Sequence, residues 1–201
     1  ACIASGRQIS LIGSIIICAS IIIGVLSMTG LGVKLTSLII SLSGNNIWPA
    51  LILTGVACLL LGMEVPTTAA YVICVSVAGP ALVDMGLELL QVHLFVFWFA
   101  LLSTITPPVC GTVFIASGMV SENWLKVSLT SMSLGIGLYF IPLGMIANEA
   151  IIKLDTEFFY AIIAFVKIAI SLVMLSYALI TKSLIFLRLL AFGLGLVLMF
   201  V

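Results

Sequence analysis

Apolar runs separated by short polar punctuation set the pattern of this chain, and their lengths predict its elements. Residues 9–29 carry no charge and are rich in Ile, and one bilayer crossing takes about 20 such residues. Gly30 and Gly32 end the run. Residues 31–43 hold Lys34 among several Ser and Thr, too short and polar to cross, and read as an arm lying along the membrane surface. The SGNN at 43–46 separates that arm from the next helix. Trp48 and Pro49 open this helix as an interface aromatic and a first-turn proline.

The next pattern is unusual. Residues 47–63 are apolar apart from Thr54, and residues 66–83 carry no charge. The link between them, GMEVPTT at 62–68, is no solvated loop, since Glu64 is its single charge. Two full crossings and a turn do not fit this length. The pattern predicts a re-entrant hairpin of two short helices that enter and leave by the same face. Non-helical backbone at that depth is tolerated where protein buries it or where it lines a wet cavity. Gly79-Pro80 is expected to kink or end the second leg.

Asp84 and Glu88 mark a solvated turn. Residues 91–117 are again without formal charge, but STITPPV interrupts them at 103–109. Consecutive prolines remove two backbone donors and disfavour helix before them, so a transmembrane helix broken near mid-membrane is expected. Residues 127–147 read as a further span and 149–157 as a polar loop. Residues 158–180 read as a span holding Lys167, and a last segment from 184 contains Arg188. The fold class is therefore all-α: a polytopic membrane protein with one re-entrant hairpin and one broken helix. Three parts are expected: 1–46, a transmembrane helix plus interfacial arm; 47–147, the transport core; and 148–201, additional helices.

Composition agrees. Hydrophobic residues make up 64% and charged residues 7%, with mean hydropathy +1.46, against roughly 25% charged residues in soluble domains. The net charge of zero and the lack of a basic tract give no support to a nucleic-acid partner. The five cysteines are scattered without a C-x-x-C and read as small buried hydrophobes. No nucleophile–base pair or metal-ligand spacing stands out, so the chain reads as no enzyme, with the bilayer as its first partner. It begins without Met and stops inside an apolar run, as a piece of a longer protein would. With Arg7 cytoplasmic, Asp84–Glu88 fall outside and Lys126, Lys182 and Arg188 inside, in keeping with the positive-inside rule.

Two interrupted elements in succession point to a secondary transporter, whose substrates and coupling ions bind near the midplane at discontinuous helices. Thr67, Thr68, Ser103, Thr104 and Thr106 offer hydroxyls, beside freed carbonyls, to a small hard cation. The bland alternative is that Pro and Thr merely kink helices whose loose hydrogen bonds neighbours re-satisfy. Glu64 either faces a cavity, as intramembrane carboxylates do, or stays solvated at the turn. His93, near the acidic turn, reads as an interfacial residue, and Lys167 as a bundle partner or a snorkelling cation. Gly135 and Gly137 read as close helix packing.

GMEVPTTAAY at 62–71, followed by HLFVFWFALLSTITPPV at 93–109, resembles the large membrane subunit of TRAP transporters, and more narrowly the fused permeases that work with TAXI-type periplasmic binding proteins. The resemblance covers about residues 48–152. It implies inverted repeats, each with a hairpin and a broken helix that move like an elevator against a scaffold. This chain would be the C-terminal half, partnered by the N-terminal half of the same permease in the bacterial inner membrane. On that likeness Gly62, Pro66, Thr67 and Thr68 form the hairpin tip. Thr104, Thr106, Pro107 and Pro108 form the break facing it, with a sodium ion held at Thr68 and Thr106 beside one edge of the substrate site. The resemblance implies cation-coupled uptake of a small organic anion, commonly a carboxylate, with no cofactor beyond the coupling ion, sodium or a proton. The chain departs from the family pattern at two places: Glu64 stands where Gly is usual, and Cys110-Gly111 replaces an Ala-rich continuation. The competing reading is an ion channel or cation exchanger with no organic substrate.

Overall fold

The computed structural model describes all residues except Ala1, Glu64, Val109, Lys182, Ser183, Leu184 and Val201, and not the side chains of Cys2, Ala4, Gln8, Leu11, Ile12 and Ile15. Among the described residues every regular element is helical. The chain divides into two compact units, Ala1–Gly111 and Thr112–Val201. That division falls inside the expected 47–147 core.

In the first unit, α1 (Cys2–Met28) gives way to α2 (Leu31–Ser43). The direction changes by 67° between Ile16–Met28 and Leu31–Ser43. Gly30 takes φ +67 at the junction, a left-handed conformation that glycine adopts without the Cβ clash other residues meet. The arm expected at 31–43 is thus a helix set across the first one. Helix α3 (Ile47–Leu61) follows. Its first turn is capped by Asn46, whose Oδ1 accepts from Trp48 N at 3.1 Å.

Helices α3 and α4 (Thr67–Val77) form the predicted hairpin. Cys74 Sγ donates to Cys58 O at 3.6 Å across the two legs. At 1.5 Å per residue the fifteen residues of α3 rise only about 22 Å, short of a bilayer core of about 30 Å. The second leg breaks where Gly79-Pro80 predicts, and α5 (Gly79–Asp84) continues it. Helix α2 lies against α3, α4 and α5, and α1 packs on α4.

Helix α6 (Leu89–Leu102) closes the unit by packing on both hairpin legs. Gln91 Oε1 accepts from Glu88 N at 3.0 Å and ties off its first turn. Its buried residues Val92, Phe95, Val96, Phe99 and Ala100 recur at helical spacing. They meet an α3 face of small residues that includes Thr54, Gly55 and Cys58. A Cβ on Gly55 would fall 2.9 Å from the Phe99 ring. Lipid is as apolar as Leu, so close backbone approach and not water exclusion drives such packing.

The second unit contains α7 (Gly111–Val120), α8 (Trp124–Leu134), α9 (Ile136–Ala147), a 3-10 turn at Glu149–Ile151, α10 (Phe158–Ile180) and α11 (Ile185–Phe200). The span expected at 127–147 is bent: α8 and α9 meet at 41°. Gly135 sits at that junction, and Gly137 packs against α10, where a Cβ would meet Leu172 and Ser176 at 3.5 Å. Helix α10 matches the predicted span and is, among the described residues, the one helix long and apolar enough to cross a membrane alone. Each bent pair, counted as one span, adds a crossing.

Helices α10 and α11 pack tightly through small residues. A Cβ on Gly195 would fall 3.1 Å from Leu175 Cγ and 3.2 Å from Ser171 O. Lys167 is answered inside this unit: its Nζ donates to Asn148 Oδ1 at 3.1 Å. Asn148 Nδ2 in turn donates to Gly144 O at 3.0 Å and Met199 O at 2.9 Å. One amide thereby joins the ends of α9 and α11 to the lysine of α10.

Candidate functional site

The hairpin tip and the helix break meet inside the first unit. Gly62 caps α3 and is buried, and the chain turns through Met63 and Val65 to Pro66, which precedes the first turn of α4. Glu64, part of the expected site, is outside the described residues. Ser103, fully buried at the end of α6, places its Oγ 3.1 Å from Gly62 O and 2.7 Å from Ala100 O. Its single proton is shared between the tip and its own helix.

The other hydroxyls of the break turn back in the same way. Thr104 Oγ1 donates to Leu101 O at 2.8 Å, and Thr106 Oγ1 donates to Leu102 O at 2.6 Å. Three successive carbonyls at the end of α6 are therefore met by side chains, and two of them, Leu101 O and Leu102 O, also accept from the amides of Thr104 and Ile105. The expectation of freed carbonyls open to a ligand is corrected on this point. Each of these hydroxyls acts as a donor to a carbonyl of its own helix. The Pro107–Pro108 peptide is cis, Pro107 is half-buried and Pro108 exposed. Cys110, also buried, precedes α7.

On its other side the tip opens on a cavity of about 540 Å³. Helix α4 contributes Thr67, Thr68, Tyr71 and Val72, which share one face at helical spacing. Helix α6 adds His93 and Phe97, one turn apart, and Ile16, Ala19 and Ser20 of α1 close the remaining wall. Tyr71 and His93 are paired, with the phenol oxygen 2.6 Å from Nδ1. The Tyr71 ring also stands edge-on to Phe97, centroids 5.7 Å apart. The fold brings His93, read from the sequence as an interfacial residue, beside Tyr71 of the hairpin. No spacing along the chain signals this pair; its one sequence hint is a histidine at the start of an otherwise apolar helix.

Of the expected site residues, the structure brings Gly62 and Ser103 into contact and sets Thr67 and Thr68 in the cavity wall. Thr104, Thr106, Pro107 and Pro108 are not among that cavity's lining residues. Within the hairpin itself, Thr54 Oγ1 is buried with no hydrogen-bond partner.

A multi-pass, all-helical chain with a short apolar hairpin clasped to the break of a following helix has the architecture of a secondary-transporter permease. Residues 1–160 match the family model of the DctM component of the tripartite ATP-independent periplasmic transporter, and the chain belongs to that family. No curated protein and no solved structure matches it. The family is one of transporters and not of enzymes, and membership implies a periplasmic binding protein and a small membrane subunit as partners.

Proposed function

We propose that this chain is the part of a TAXI-type permease that takes up a small organic anion across the bacterial inner membrane, driven by a cation. The tip at 62–68 and the break at 103–108 form its ion and substrate site. A periplasmic binding protein delivers the anion, and the N-terminal half of the permease supplies the facing repeat. The observation that carries the reading is the contact of Ser103 with Gly62 O, with Thr104 and Thr106 beside it. Hydroxyl and carbonyl oxygens gathered at the break of an apolar helix are the ligand type a sodium ion takes.

The test is sodium binding to the purified full-length permease, with ²²Na⁺ in equilibrium dialysis, alongside sodium-driven uptake of labelled carboxylates in proteoliposomes with the binding protein. Thr106→Ala should weaken sodium binding roughly tenfold, the effect of one lost bond to a charge. Thr106→Ser, which keeps the hydroxyl, should restore it. Unchanged sodium affinity in Thr106→Ala removes this residue from the site. Sodium flux through the permease with no carboxylate uptake would favour a channel or exchanger.

A further inference from the structure

Where α10 ends and α11 begins lies a cavity of about 370 Å³, lined by Ala178, Leu179, Ile185, Arg188, Leu189 and Phe192. Helix α11 and most of α10 lie beyond residues 1–160, which match the family model, so this cavity is no part of the hairpin-and-break site. Arg188 is the one charged group among the described lining residues, and no Asp or Glu stands with it there. A half-buried cation in an apolar wall calls for an anion.

Geometry fixes where that cation stands. Arg188 Nε donates to Ala178 O at 2.8 Å. Ala178 is in the last turn of α10, where carbonyls run short of amide partners and the helix dipole favours a positive charge. The bond holds the guanidinium of α11 against α10 and uses Nε alone, which leaves the Nη–H donors of the fork for two oxygens of one acceptor. Depth is set by the length of α10. Its 23 residues rise about 34 Å, slightly more than a bilayer core of about 30 Å, so its last turn reaches the level of the lipid phosphates. Leu179, Ile185 and Leu189 are exposed around the cation, and Phe192 stands one turn further along α11. Such a rim faces acyl chains in a bilayer.

We propose that this cavity binds one anionic phospholipid, its phosphate on the Arg188 fork and an acyl chain along Leu189 and Phe192. Arginine matches phosphate oxygens two at a time, and basic pockets between transmembrane helices hold anionic headgroups by this chemistry. Free phosphate offers the same oxygens but leaves the apolar rim uncovered, so the rim and the depth select a lipid. A zwitterionic headgroup brings its own cation beside the phosphate and weakens the attraction to Arg188. The bound lipid would tie α10 to α11 at the membrane surface. The proposal does not depend on the ion and substrate site of the first unit.

The test is native mass spectrometry of the purified, delipidated full-length permease, titrated with dioleoylphosphatidylglycerol, dioleoylphosphatidylcholine or inorganic phosphate. Phosphatidylglycerol should bind at least about tenfold more tightly than either of the others, the effect of one hydrogen bond to a charge. Arg188→Gln keeps a donor for Ala178 O but loses the charge, and should remove that preference. Arg188→Lys should retain part of it. Lys126→Gln removes an exposed cation of α8 outside the cavity and should leave the preference unmoved. Leu189→Trp fills the rim with Arg188 in place and should weaken phosphatidylglycerol binding, which keeps the test in force if Arg188→Gln does not fold. Equal binding of the two lipids overturns the proposal, as does an unaltered preference in Arg188→Gln or unaltered phosphatidylglycerol binding in Leu189→Trp. Equal losses in Arg188→Gln and Lys126→Gln would mean diffuse attraction to basic residues and overturn it too. Inorganic phosphate binding as tightly as phosphatidylglycerol would make this an anion site and not a lipid site.

Discussion

Ser103 Oγ touches the backbone of Gly62 at a spacing that a side chain on residue 62 would forbid. The oxygen is 3.1 Å from Gly62 O, and a Cβ on Gly62 would fall 2.5 Å from that same oxygen and 2.9 Å from Ser103 Cβ. Residues 41 positions apart thus clamp the hairpin tip to the helix break, and the clamp depends on the absence of one methyl group.

Gly62→Ala should open that clamp. Forcing a methyl into a packed site costs about 1–3 kcal/mol, so the variant should unfold at lower temperature in detergent. Ser103→Gly removes both clashing atoms and should recover much of the loss when combined with Gly62→Ala. Equal melting temperatures for Gly62→Ala and the parent would show that tip and break do not meet as described.

Thr54→Val should be neutral or stabilising. The hydroxyl of Thr54 is fully buried and unpartnered, and replacing it with a methyl removes a desolvation cost of roughly 1–3 kcal/mol without emptying the space. Thermal unfolding followed by tryptophan fluorescence reads this directly. A fall in melting temperature, or weakened ²²Na⁺ binding, would mean that the hydroxyl has a partner in the working protein.

The loop charges set a topology that labelling can check. Asp84 is exposed at the end of α5, and Lys126 is exposed in the first turn of α8, paired with Glu122 at 3.1 Å. With basic loops cytoplasmic, Asp84→Cys in a background freed of native cysteines should react with an impermeant maleimide from the periplasm, and Lys126→Cys should not. The reverse pattern inverts the orientation.

Glu64 is outside the described residues, and its position in GMEVPTT motivates a separate experiment. A carboxylate ligates a cation only when ionised, so a sodium site that includes Glu64 would be one where protons and sodium compete. Sodium binding to the parent should weaken as pH falls from neutral to mildly acidic, while Glu64→Gln should show a flat profile. Matching profiles in parent and variant would make Glu64 a solvated turn residue.

Where the chain is helical, where it breaks and that it lives in a bilayer were legible in the sequence, because local chemistry decides them. A proline lacks its amide donor whatever surrounds it, and an uncharged apolar run excludes water along its whole length. Hence the hairpin, the break at 103–110 and the span at Phe158–Ile180 follow from composition and spacing. The bend at Gly135 did not, since apolar residues continue through it and only packing selects which glycine yields. Nor did the direction of the break's hydroxyls: Thr104 and Thr106 can face a ligand or their own helix, and in the fold they donate to Leu101 O and Leu102 O. The pairing of Tyr71 with His93 lay furthest from the sequence. It exists because small residues on α3 let α6 approach the hairpin, and contacts between distant segments are set by that approach, which no local pattern encodes.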